Sequence, residues 1–301
     1  MSAVMTGSLR CSLWARAQGL DPAGTAGSYS GYLLLDIPLP WPRDVSEIPE
    51  VAALSERLSG SQLRVQATVP SGSPHRAVLY RLRTGTAWTG SFEGRSTPVG
   101  DSLVAAVEGL LAGGGNPQAG RDLLVCGHGR RDVCCGSAGT DLAMKLARGS
   151  LPPDVRLHRT SHTGGHRFAP TFIVLPEATL WAFADIDLVM RVLQRRGDAA
   201  DVADRYRGCS ALDGPRVQAL EREVLKEVGW DLLGWERSGR PIDGNAVRLD
   251  AVDADGHPMS WEADVKPGRT LPVPDCGRPI EEARKSETEW MVHGLRTVVA
   301  T

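Results

Sequence analysis

The stretch RDLLVCGHGRRDVCCGSAGTDLAMKL, residues 121–146, followed by LHRTSHTGGHRFAPTFIVLPE, residues 157–177, decides the fold. Leu123-Leu124-Val125 is an apolar run that ends at Cys126 and reads as a buried strand. Val155 to Arg159 is a second strand, and it ends just before His162. Two strands that each lead into a glycine-containing loop place thiols and imidazoles at one edge of a sheet, where open α/β sheets build their sites. The spacing is Cys-x8-Cys, Cys126 and Cys135, then His-x3-His, His162 and His166, with Cys134 next to Cys135. Sulfur and imidazole nitrogen together favour zinc, copper(I) or an iron–sulfur cluster over magnesium or calcium. Gly164-Gly165 between the histidines argues for a tight loop. It argues against a helical histidine pair, since each glycine costs about 1 kcal/mol inside a helix.

Outward from this core, a helix is expected from about Gly139 to Ala147, with Leu142 and Leu146 facing inward. After the histidine loop, Thr171–Leu175 and Thr179–Phe183 read as a hairpin around Pro176-Glu177-Ala178. Asp185 then opens a helix carrying Ile186, Val189, Met190 and Leu193. Strand–helix–strand followed by hairpin–helix is the thioredoxin pattern, and it bounds a unit at residues 121–197. Residues 28–120 read as a second small α/β unit. Its strands are expected at Tyr32–Ile37, Leu63–Val69, Arg76–Leu82 and Ala87–Phe92. Its helices are expected from Ser46 to about Leu58 and from Ser102 to Leu111. Gly113-Gly114-Gly115 follows a helix rather than a strand, so it is a helix stop and not a phosphate loop. Residues 1–27 form an N-terminal segment with a helical turn at Ser12–Ala17. Residues 198–301 form an α+β appendage: a helix at Pro215–Val228, a hairpin of Arg248–Val252 with Ser260–Val265, and a helical pattern within Glu281–His293. No internal repeat is visible in the sequence. Cys11 reads as packing. Cys209 and Cys276 lack histidine neighbours and read as structural, with an approach of Cys276 to the redox site left open.

CGHGRRDVCCG and SHTGGHRFAPT resemble the sucrase/ferredoxin-like proteins, a branch of the thioredoxin-like ferredoxins. YLLLDIPLPWPRD, DRYRGCSALDG and VPDCG resemble the bacterial members too, so the likeness covers most of the chain. It implies a thioredoxin-like fold and a [2Fe–2S] cluster held by Cys126, Cys135, His162 and His166, although spacing alone leaves Cys134 as available as Cys135. It also puts Pro170 where thioredoxin-like folds carry a cis-proline. His128, Arg131 and Asp132 match the motif around the first cysteine. Arg131 or Arg130 can donate to cluster sulfides or to a partner. Asp132 can orient a ligand histidine or cap the following turn, and His128 is a spare imidazole. Trp41 can shield a cofactor or close the edge of the core.

The implied function is one-electron transfer between a reductase and an acceptor protein, with room for a homodimer. Two imidazoles in place of thiolates raise the potential of such a cluster. Their second N–H allows a proton to accompany the electron. A structural Cys2His2 zinc site is the competing assignment. A thiol redox protein using Cys134 and Cys135 is another, though no Cys-x-x-Cys is present. Glycoside hydrolysis would need two carboxylates flanking a sugar cleft, and no such pair is visible. A net charge of −2 implies no nucleic-acid or membrane field. Six cysteines in 301 residues are too sparse for a disulfide scaffold, and the first residues do not read as a secretory signal. The expected location is the cytoplasm.

Overall fold

The computed structural model of the chain describes residues 9–54, 56–82 and 92–299. The strand expected at Ala87–Phe92 lies almost wholly outside them. In chain order the elements are helix α1 (Cys11–Ala17), β1 (Gly31–Asp36), α2 (Pro49–Ala52), β2 (Leu63–Thr68), β3 (Arg76–Arg81), β4 (Glu93–Pro98), α3 (Leu103–Leu111) and the short β5 (Asn116–Pro117). There follow β6 (Arg121–Cys126), α4 (Thr140–Arg148), β7 (Val155–Thr160), β8 (Phe172–Leu175), β9 (Thr179–Trp181), α5 (Ile186–Gln194) and β10 (Tyr206–Cys209). The chain continues with α6 (Pro215–Val228), β11 (Glu236–Pro241), β12 (Ala246–Val252), β13 (Pro258–Pro272) and β14 (Ser286–Val298). Two of the expected helix starts carry their caps: the Ser102 and Asp185 side chains accept from the backbone N–H groups of Ala105 and Leu188.

The first ten strands form one sheet in the order β10-β9-β8-β6-β7-β2-β1-β3-β4-β5. Within it, β6 is parallel to β7 and antiparallel to β8, and β8 is antiparallel to β9. This is the strand–helix–strand, hairpin, helix unit that the sequence predicts. The N-terminal strands repeat the plan: β1 is parallel to β2 and antiparallel to β3, and β3 is antiparallel to β4. The chain therefore holds two units of like topology, β4-β3-β1-β2 and β7-β6-β8-β9, meeting through β2 and β7. They overlap only at their C-terminal ends, where Thr68 faces Thr160. Gln66, Thr160 and Ser161 fasten that seam: both hydroxyls donate to the Gln66 side-chain oxygen, at 3.0 and 3.2 Å. The loops that follow β1, β6 and β7 meet beside this seam.

A polar network bridges the units below the seam. The Asp122 carboxylate on β6 is fully buried and accepts from Arg156 Nε at 2.7 Å and pairs with His158 Nε2 at 2.9 Å, both on β7. It also accepts from the Tyr80 hydroxyl on β3. Burial pushes this carboxyl up, but the His158, Arg156 and Tyr80 hydrogen bonds outweigh it and hold the group below the ordinary range. A depressed folded pKa gives stability that is complete above the unfolded value of about 3.9 and fades as pH falls below it. Asp122→Asn is therefore expected to lower stability by about 2 kcal/mol at pH 7, the scale of charged hydrogen bonds with a partly exposed arginine. The gap from the parent should narrow below about pH 4, which urea unfolding at the two pH values measures.

The C-terminal strands form a separate antiparallel sheet, β11-β12-β13-β14, packed around α6 and continuous with the main apolar core. The helical pattern expected within Glu281–His293 is only a 3-10 turn at Ile280–Glu282, and from Ser286 on it is the long strand β14. Gly294 has φ +65°, and the pairing with β13 shifts register beside it, between His293 and Arg296. β14 is an edge strand with no buried residue, so neither of its faces carries the apolar alternation that marks a strand. The helix expected through Leu58 is also shorter, ending at Ala52 in α2.

Candidate metal centre

Cys126 closes β6, and the loop after it climbs to a helical turn at Cys135–Gly139 that runs into α4. Gly139 makes this return possible: a Cβ there would stand 1.8 Å from the Cys126 carbonyl oxygen. Cys126 and Cys135 are thus held together from opposite ends of the loop, both buried. His162, from the loop after β7, completes a group with them in which every donor atom lies within 4.8 Å of the others. A hydrogen bond from Cys135, aided by one from His162, holds the Cys126 thiol well below its ordinary range. The same bond pushes Cys135 up.

His166 stands apart from that group. Its ring centre is 6.0 Å from that of His162, and its Nδ1 faces Asp132 Oδ2 at 3.3 Å and Cys11 Sγ at 3.3 Å. The double glycine does what its sequence suggests: Gly164 and Gly165 take φ +84° and +68°. A side chain at Gly165 would run into the Arg207 guanidinium, 2.6 Å away. Arg207, on β10, donates to the Gly164 carbonyl at 3.1 Å and to Thr25, so it holds the histidine loop from behind. Burial lowers its pKa to about 10. Sequence reasoning passed over Arg207, although it lies inside the DRYRGC segment that resembled the family.

The neighbours of the motif divide by role. His128 is buried. Its Nε2 lies 2.8 Å from the Pro42 carbonyl, which accepts only from a protonated nitrogen, so Nδ1 is free to accept the backbone N–H of His162 at 3.3 Å. Burial is the main reason its pKa is lowered, which keeps this neutral tautomer. Trp41 is buried against it, ring centres 5.7 Å apart and edge-on. The Pro-Trp loop of the first unit thereby fixes the histidine loop of the second. Asp132 caps the following turn, its Oδ1 accepting the backbone N–H of Cys134 at 2.8 Å and of Cys135 at 3.3 Å, and its Oδ2 lies 3.3 Å from His166 Nδ1. Arg130 and Arg131 are exposed. Arg131 lines a cleft of about 680 Å³ that also includes Arg43, Arg64 and His162.

Cys134 points away from its neighbour Cys135. Its sulfur is 3.2 Å from Cys276 Sγ, and Cys276 Sγ is 3.3 Å from Cys11 Sγ. Hydrogen bonds from Cys11 and Cys276 hold Cys134 far below the ordinary thiol range, and Cys11 is raised in return. All six cysteines are free thiols. Among the described residues no helix is long and apolar enough to cross a membrane.

Two α/β units joined in one sheet thus bring a thiol–imidazole group together beside their seam, a candidate metal site. The model of the sucrase/ferredoxin-like family matches residues 22–208, both units and most of β10, and the chain belongs to that family. No curated protein and no solved structure matches it.

Proposed function

We propose that the chain is a one-electron carrier whose [2Fe–2S] cluster is held by Cys126, Cys135, His162 and His166. The observation that carries this reading is the convergence of Cys126, Cys135 and His162 within 4.8 Å, with the His166 ring 6.0 Å from that of His162. Bound there, such a cluster supplies reversible one-electron transfer, at a potential raised by neutral imidazoles in place of thiolates. The chain's own residues prepare the site. Asp132 accepts from His166 Nδ1 and so leaves Nε2 as the ligating nitrogen, the usual arrangement of a histidine ligand. His128 holds the backbone of His162, and burial of both cysteines keeps water from the sulfurs. His162 faces the cleft with Arg43, Arg64 and Arg131, and a reductase or acceptor protein with an acidic face meets the site there.

The compact Cys126–Cys135–His162 group also suits a single zinc ion, and one measurement separates the two. Protein purified without oxygen should be red-brown, with about two irons and as much acid-labile sulfide per chain. Its reduced form should give the paramagnetic resonance signal of a half-reduced iron pair. Colourless protein that stays so after reconstitution, with zinc bound by Cys126, Cys135 and His162, would establish a structural zinc site instead.

A further inference from the structure

We propose that Cys11, Cys134 and Cys276, with Asp132 as fourth ligand, bind a single zinc ion distinct from the iron–sulfur centre, and that this ion ties both ends of the chain to the cysteine loop. The four donors lie within 4.8 Å of one another, and three of the four residues are buried outright. The sulfurs stand 3.2 and 3.3 Å apart along Cys134–Cys276–Cys11, and the Asp132 oxygens 3.6 and 3.7 Å from Cys11 Sγ. A tetrahedral zinc with bonds of about 2.3 Å to sulfur spaces its ligand atoms about 3.7 Å apart, so a small adjustment closes the shell. A cubane cluster puts each cysteine on a different iron and needs its sulfurs well apart, which this packing does not offer. Three thiolate sulfurs and one carboxylate oxygen are all donors that zinc accepts, and four of them close a tetrahedral shell with no open position.

The chain has spent distant segments on this point. Cys11 opens α1 and its N–H donates to Cys276 Sγ at 3.3 Å, while Gly277 N–H donates to the Leu9 carbonyl at 2.8 Å. Cys276 sits on the loop between β13 and β14, so the long C-terminal hairpin delivers it. Cys11 and Cys276 both lie outside residues 22–208, the part of the chain that the family model matches. A cavity of about 200 Å³ lined by Asp132, Asp275 and Cys276 gives an ion a way in. Binding displaces the thiol protons of Cys11, Cys134 and Cys276 to solvent, leaving three thiolates on the zinc. A disulfide is the other use for close thiols, but it would pair two of the three and strand the third.

The test is made on the full chain loaded with iron and sulfide, with metals counted in the same digest. One zinc per chain is expected beside the iron. Cys276→Ala should lose the zinc and keep the iron, and Cys126→Ala should lose the iron and keep the zinc, so failure of the cluster reading and of this one are told apart. In the parent protein, iodoacetamide mapping should find Cys11, Cys134 and Cys276 protected until a chelator is added, a readout that needs no variant to fold. Cobalt in place of zinc should give a thiolate-to-metal charge-transfer band. A disulfide among these cysteines in protein isolated under reducing conditions overturns the proposal. So does loss of iron from Cys276→Ala, or free alkylation of all three thiols in excess zinc.

Discussion

Cys135→Ser is expected to reduce the iron of anaerobically purified protein to background, while Cys134→Ser keeps its iron and its colour. The two residues are neighbours, yet their sulfurs serve different places. Cys135 joins Cys126 and His162. Cys134 turns to Cys276, 3.2 Å away, and Cys11. A serine hydroxyl at Cys135 is a hard donor that does not deprotonate at neutral pH, so it replaces neither the charge nor the softness of a thiolate. The Cys134 change leaves the cluster's ligand group untouched; it removes a ligand of the proposed zinc ion, which reaches the cluster only through Asp132. Groups that act on a metal only through its ligands typically contribute 10- to 100-fold in affinity, about 1.4–2.7 kcal/mol, so the cluster site is weakened but not emptied. Iron and sulfide analysis of the two variants beside the parent decides it. Iron lost from Cys134→Ser and kept by Cys135→Ser would shift the ligand register by one residue.

The fold around the site was legible where local pattern and topology agree. The apolar run before Cys126, the hairpin around Pro176 and the Asp185 cap are short-range signals, and each stands as read. The joining of the two units into one sheet was not legible. It rests on the overlap of Thr68 with Thr160, which no local pattern announces. The shared topology was hidden for a related reason: where the second unit carries its cysteine loop, the first carries the Pro38–Pro42 loop, so no chemistry repeats. Cys11 and Cys276 were read as packing and as structural because a cysteine with no histidine nearby in sequence usually is. Their meeting is a tertiary event, set by Gly277 reaching Leu9 across the whole length of the chain. His166 shows the opposite limit. Its spacing from His162 is plain in the sequence, but its turn toward Asp132 depends on Gly165 lying over Arg207.

The C-terminal region reaches a site that is far from it in sequence. The sheet β11–β14 lies beyond the family match, yet its β13–β14 loop brings Asp275 and Cys276 against His166 and Cys134. Anything that loosens this sheet from the main body should therefore loosen the site, and the joint between them has an identifiable pin.

That pin is the pair of Arg237 on β11 and Glu221 on α6, both with no exposed side-chain surface. Arg237 Nε donates to Glu221 Oε1 at 3.0 Å, and its Nη1 donates to the Leu232 and Trp235 carbonyls. Glu221 Oε2 accepts the Tyr206 hydroxyl and the Cys209 N–H, each at 3.0 Å, which links the pair to β10 in the main sheet. Arg237→Met is expected to cost about 3–5 kcal/mol, because it leaves a carboxylate buried without its cation. That is a large share of the roughly 5–15 kcal/mol that holds a domain folded. Burial already pushes the Glu221 carboxyl up against the pull of Arg237, and without the arginine it rises further. A folded pKa above the unfolded value means the variant is penalised most when the carboxyl is ionised in the unfolded chain, and less as pH falls through that raised value. The deficit should therefore be largest at pH 7 and smaller at pH 5, by urea unfolding. Adding Glu221→Leu to Arg237→Met should recover part of the loss, but not all, since the Tyr206 hydroxyl and Cys209 N–H then lack their acceptor. A loss under 1 kcal/mol for Arg237→Met, or one that does not change with pH, would show that Glu221 is not held as a buried anion and that the two sheets are joined by apolar packing alone.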